Sequence, residues 1–435
     1  MNMKKYLVWT VAITLSYGLL SCSSSDEVDP EDLDGSKTIV SMLEKTRVQL
    51  TPEQQVFAND NNKFTLNFLK TVNETDRSGR SFVYSPLSIT YVLGMVNDAA
   101  EGITEQELEQ TLGFHEGGIQ AVNDFCKNLI DNLPKVDKTV QLNIANAIFL
   151  NQKYTLNPQF QQDMEQYYDA KAEALDFSSP QTLGIINGWC DEKTQGMVPT
   201  ILDSVEPFAL SYLLNAVYFK ADWTSKFSEK NTRVETFAGS NGNTRLPLMH
   251  QTVLMSYLKN ETYSAVSIPY GNQEWSMIVM LPEEGKTTDD VINHIAANGL
   301  VSYNSADMTD VFRAYEVDLK LPRFESNTDT NDLEEGLIGL LQQLGIRRVF
   351  TDFAEIPNMC GAPVYISMMR QKAKIKVSEE GSEAAAVTVA EISFGSVGAP
   401  PVYPKATFHV NRPFVYAIRE ASSGVILFVG KFTGE

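Results

Sequence analysis

The chain has 435 residues, 43% of them hydrophobic and 21% charged, which supports a large buried core and excludes a mostly disordered polymer. Its 35 basic and 55 acidic residues leave a net charge of −20, which argues against electrostatic capture of nucleic acid or of an anionic membrane surface. Length alone allows one large domain or two.

In chain order, Lys4 and Lys5 precede the apolar run Tyr6 to Leu20, too short to span a bilayer comfortably but suited to an export signal. That run ends in Leu19-Leu20-Ser21-Cys22, which resembles the lipobox of bacterial lipoproteins. The resemblance implies a signal peptide over 1–21 and Cys22 as the lipidated first residue of the mature chain. Residues 22–55 are Ser-rich and acidic without an apolar period and read as a tether, leaving 56–435 as the folded domain. Phe64, Leu66, Phe68, Leu69 and Val72 roughly keep a helix face, and Ser85-Pro86 opens a second helix with Ser85 as its cap. Further helices are predicted at 105–112, 119–133, 158–168, 180–194 and 289–297, and strands at 140–150, 213–219, 264–269 and 277–281.

Past Tyr315 the order is a strand over 316–321, an amphipathic helix over 332–344 stopped by Gly345, and a long strand over 364–377. Residues 407–409, 414–419 and 425–432 read as strands, the last two a hairpin turned at Ser422-Ser423-Gly424. Helices first and strands crowded into the last third imply an α+β domain built around large sheets. Cys126, Cys190 and Cys360 are odd in number and fit no metal spacing, so buried free thiols are predicted. His115, His250, His294 and His409 are scattered, and no HExxH, GxSxG or CxxC occurs. Catalysis by the chain itself is therefore not indicated.

One stretch stands apart. Between Glu380 and Lys405 there is no Lys or Arg, and a strand-like run is kept small. Glu379, Glu380, Gly381, Ser382, Glu383, Ala384, Ala385, Ala386, Val387 and Thr388 resemble the hinge of the reactive-centre loop of inhibitory serpins. Flanking segments occur in the family's order: SFVYSPLSI (81–89), LLNAVYFKADW (213–223), IPYGNQEWSMIVMLP (268–282), VDLKLPRF (317–324), LGIRRVF (344–350) and FHVNRPFVYAIREASSGVILFVGKF (408–432). The chain is thus identified as a serpin, with the expected fold of large mixed and antiparallel β-sheets, surrounding helices and an exposed loop.

The hinge also has a reading of its own. In a strand, Ser382, Ala384, Ala386, Thr388, Ala390, Ile392 and Phe394 share one face without charge, while Glu383 and Glu391 fall on the other. Such a segment suits a loop that later enters a close-packed sheet. The resemblance implies suicide-substrate inhibition of serine or cysteine proteases, with loop insertion after cleavage and no turnover of the chain's own. Family positions place Ser85, Ser88, Asn215 and Gln371 in the shutter beneath the sheet, Gln371 where a His is usual, and Trp223 where the loop first enters. Counting along the loop brings the reactive bond to Phe394, Gly395, Ser396 or Val397, and Phe394 points to chymotrypsin-, elastase- or subtilisin-like targets.

No cofactor is expected, because Lys127, Lys135 and Lys138 are offset by Asp124, Asp131 and Asp137 where relatives bind heparin-like chains. A monomer, held at the bacterial cell envelope only by its N-terminal lipid, is expected. The competing readings are a non-inhibitory serpin acting as chaperone or carrier, and a glycan-binding or adhesive surface lipoprotein.

Overall fold

The structure, a computed structural model, describes residues 46–76, 78–115, 117–300, 311–382 and 402–435. The signal peptide, Cys22, most of the tether and loop residues 383–401, which include the reactive-bond candidates Phe394, Gly395, Ser396 and Val397, lie outside them. Elements are numbered in chain order.

Helix α1 (Pro52–Thr75) starts where Thr51 and Gln54 cap each other reciprocally and Pro52 occupies the first turn. The folded body therefore reaches further back than residue 56: Val48 is already buried, its N–H donating to Ser422 Oγ at 2.9 Å. Helix α2 (Pro86–Asp98) is buried at every residue from Pro86 to Asn97. A helix apolar all round must be covered on all sides, and α2 lies between the two sheets of the fold. Helices α3 (Gly102–Leu112), α4 (Gly118–Asn132), α5 (Pro158–Tyr168), α6 (Thr182–Lys193), α7 (Thr288–Asn298) and α8 (Gly336–Leu344) follow.

Among the described residues one sheet runs β1 (Phe82–Tyr84), β15 (Ile426–Phe432), β14 (Phe414–Glu420), β8 (Trp275–Pro282), β7 (Tyr263–Tyr270), β6 (Gly242–Lys259), β9 (Arg313–Pro322) and β13 (Lys405–His409), with β5 (Arg233–Gly239) paired to β6. The second runs β10 (Phe324–Asp329), β11 (Met369–Val377), β12 (Gly381–Ser382), β4 (Ser211–Asp222), β2 (Gln141–Asn151) and β3 (Lys171–Leu175). This six-stranded sheet is mixed: β10 with β11 and β4 with β2 are antiparallel, whereas β2 with β3 and β4 with β11 are parallel. One hydrophobic core joins α2 to both sheets, and a smaller one lies between α6 and the opposite face of β2 and β4.

Several predicted bounds need correction. The strand placed over 364–377 begins only at Met369, because the chain before it turns to other partners, with Ile366 N–H donating to Val349 O and Ser367 Oγ to Ser211 O. The helix placed over 332–344 starts at Gly336, where φ is +62°, since Leu333 before it is extended. Ser85 sits at the cap position of α2, but its hydroxyl makes no capping bond. Cys126, Cys190 and Cys360 are buried free thiols, and burial pushes the Cys126 thiol up to about 12.

Candidate functional site: the seam of the six-stranded sheet

Among the described residues, β4 and β11 pair directly at one end of their seam only. There, Met369 to Lys372 pair directly with Leu213 to Ala216. At the other end Ser382 of β12 lies between the strands, opposite Ala221 on one side and Val377 on the other. Between these ends, among the described residues, 373–376 and 217–220 have no ladder partner across the seam. Backbone N–H and C=O groups demand partners, so a sheet parted in this way is a template for an incoming strand.

Seating the hinge takes a chain reversal. Ser378 N–H donates to Gly381 O at 2.9 Å and Gly381 N–H to Ser378 O at 3.3 Å, a tight turn through Glu379 and Glu380. Gly381 has φ +149°, and a Cβ there would meet Ala221 O at 2.1 Å, so only glycine fits this approach. Ser382 is 1% exposed, and its Oγ lies 2.7 Å from Tyr270 OH. Tyr270 stacks on Trp223 with ring centroids 4.3 Å apart. Trp223 Nε1–H donates to Ser378 O at 2.9 Å, and its backbone N–H to Glu380 O at 2.8 Å. Trp223 therefore lies against the turn through Glu379 and Glu380.

Both acids of the turn are tied to the body. Glu379, its side chain 4% exposed, accepts from Arg323 Nη2 at 2.6 Å and Nε at 3.0 Å, and from Thr232 Oγ1 at 2.7 Å. Burial alone would raise its pKa, but the hydrogen bonds from Arg323 and Thr232 outweigh it and hold the carboxyl below the ordinary value. Glu380 meets Lys226 Nζ at 2.6 Å, and Asp222 takes the same ammonium at 3.0 Å. Sequence reasoning missed Tyr270, Thr232, Lys226 and Arg323. Two of them stand in recognised segments, IPYGNQEW and VDLKLPRF, but nothing local marks them as hinge partners.

At the closed end the structure brings the predicted shutter residues together. Gln371 is 1% exposed. Its Nε2 donates to Ser85 O at 3.0 Å, Asn215 Oδ1 at 3.1 Å and Ser88 Oγ at 3.2 Å, while Oε1 accepts Ser85 N–H at 3.0 Å. Asn215 Nδ2 passes on to Asn146 Oδ1 at 2.8 Å. An amide, with donors and an acceptor together, thus bridges α2, β4 and β11. Opening the seam must break this network.

Two of the histidines that look scattered in the sequence share one carboxylate: His250 and His409 lie 2.7 and 3.1 Å from Asp318, on an exposed face of the larger sheet. Among the described residues no group of His, Cys, Asp and Glu is arranged to hold a metal ion, and no helix is long and apolar enough to cross a membrane.

The profile of the family described as Serpin (serine protease inhibitor) matches residues 59–434. The chain belongs to the serpin family. It is 30% identical over 387 residues to Serpin B6 of Macaca fascicularis, covering 87% of this chain and 99% of that protein. The leukocyte elastase inhibitor of Bos taurus is 29% identical over 385 residues, covering 86% and 98%. Among solved structures, the thermophilic serpin tengpin in its native state superposes with a TM-score of 0.75 at 24% identity, covering 90% of this chain and 96% of that one. The α+β architecture, with its two large sheets and surrounding helices, is the serpin fold.

Proposed function

We propose that this serpin is a suicide-substrate inhibitor of serine proteases and that its loop, once cut, enters the seam between β4 and β11. The observation that carries the reading is the position of Gly381 and Ser382 between β4 and β11, at the mouth of a stretch of sheet that has no ladder partner among the described residues. Continuing its register would set Ala384 against Phe219 and Ile375, Ala386 against Val217 and Ala373, and Thr388 against Asn215 and Gln371. Side chains of directly opposed residues share a face, so the inward positions would be Ala, Ala and Thr, which pass through a packed layer most easily.

In this mechanism the protease attacks the scissile carbonyl and is held as an acyl-enzyme. Insertion then adds a strand to the sheet and drags the tethered protease away before water can release it. The chain performs no turnover and is not an enzyme. Phe394 is the proposed residue before the scissile bond, with Gly395, Ser396 and Val397 as neighbouring alternatives, which favours chymotrypsin-, elastase- or subtilisin-like proteases, with cysteine proteases as a further class. The lipobox up to Cys22 supports anchorage at the bacterial envelope.

Incubation with a panel of such proteases, followed by denaturing electrophoresis, tests the reading. A covalent, denaturant-stable adduct is expected. A chain that is nicked without forming an adduct, and whose melting midpoint does not rise, is a non-inhibitory serpin instead.

A further inference from the structure

Helix α6 and the segment 194–210 after it form a cover on the outer face of the six-stranded sheet. The cover is fixed to one side of the seam: Ile186, Trp189, Cys190 and Leu202 pack with Phe149 of β2 and Leu214 of β4. Its polar ties go to the other side. Arg370 of β11 is 4% exposed and donates through Nη2 to Asp203 Oδ2 at 3.0 Å, while Asp329 of β10 holds the same guanidinium through Nε at 2.8 Å. Lys372 Nζ donates to Thr200 O at 2.9 Å. Gln371 points inward to α2, so Arg370 and Lys372 on either side of it point outward to the cover. These two residues belong to the stretch of β11 that still pairs directly with β4.

We propose that Arg370 and Asp203, supported by Lys372 on the Thr200 carbonyl, form a charged latch that ties the cover across the closed seam and sets how fast the sheet opens. The inference rests on the proposed insertion mechanism. One added strand separates β4 from β11 by about 4.8 Å, so an Arg370 to Asp203 contact of 3.0 Å would stretch to about 8 Å if the cover stayed with β4. The latch must therefore release, or the cover must move, for each insertion. Asp203 is 75% exposed, which opens the pair to screening by salt as a buried pair would not be.

The test nicks the loop of the full-length protein and follows tryptophan fluorescence during insertion, since Trp223 lies at the hinge and Trp189 in the cover. Asp203→Asn removes charge at an exposed position and is expected to speed insertion roughly twofold to fivefold at low salt. At 1 M NaCl the wild type should approach the variant, and Asp203→Glu should stay near the wild type. Equal rates for wild type and Asp203→Asn at low salt, or equal salt dependence, would overturn the latch. If neither nicked protein inserts, the insertion reading fails and the latch is judged separately by amide hydrogen exchange over Met369 to Lys372 in the uncut chain. There, exchange several-fold faster in Asp203→Asn supports the latch, and unchanged exchange sinks it.

Discussion

Ser382→Arg is the perturbation that most directly loads the seam. The wild-type side chain is 1% exposed against Tyr270, between Ala221 and Val377. Asp222 and Glu380 are engaged with Lys226, and Asp222 pairs with Gly381 rather than Ser382, so it faces the other side of the sheet. An arginine at 382 must therefore bury its guanidinium without a partner, at a cost of several kcal/mol, or leave the seam. Even about 3 kcal/mol added to the insertion barrier slows that step more than a hundredfold. Deacylation is untouched and would win the race. The assay mixes variant and protease, counts covalent adduct on a denaturing gel and measures residual protease activity. The expected outcome is cleavage at the wild-type bond and rate, free active protease and no adduct. Ser382→Ala serves as the control, since it loses only the hydrogen bond to Tyr270, about 1 kcal/mol, and should remain an inhibitor. If Ser382→Arg traps protease with wild-type stoichiometry, insertion through this hinge is not the mechanism.

Gln371→Leu should strip Ser85 N–H and Asn215 Oδ1 of their buried amide partner, costing the closed form about 2–5 kcal/mol. The readouts are a lower melting midpoint and faster loss of inhibitory activity on storage, and an unchanged half-life would refute it. Glu379, with its folded pKa below the ordinary value, should contribute stability that is fully present above about pH 4.3 and is lost as pH falls through the depressed value. Melting midpoints between pH 3 and 7 should show this loss in the wild type and a weaker one in Glu379→Gln; parallel curves would exclude the clamp. Cys22→Ser should abolish labelling with radioactive palmitate and membrane association in a bacterial host, and retention of both would exclude the lipid anchor.

How much of this could be read from the sequence follows from how local each signal is. Pro158 and Tyr168 bound α5 as predicted, because a proline start and an amphipathic face are properties of eleven consecutive residues. The 18-residue β6 escaped notice: it mixes exposed, intermediate and buried positions without a period of two and carries Pro247, so its pairing with β5, β7 and β9 has no counterpart in its own pattern. Trp223, Gln371, Asn215, Ser85 and Ser88 could be placed by resemblance, yet what holds them was not legible. Glu379 is placed in the hinge by resemblance, but nothing beside it announces Arg323, 56 positions earlier, which closes on it. The same applies to Ser382, whose small size was visible while its partner Tyr270, 112 positions away, was not. That difference has physical content. Composition can make a segment able to enter a sheet, but how far it has entered is set by the balance of distant contacts. Gly381 and Ser382 lie in the seam, the turn behind them is held by Arg323 and Lys226, and in the proposed mechanism the first obstacle ahead is the Gln371 network with the Arg370 to Asp203 contact on the opposite face. In that mechanism favourable entry and costly opening fall on different residues, so mutation is expected to change the extent of hinge seating and the speed of insertion independently.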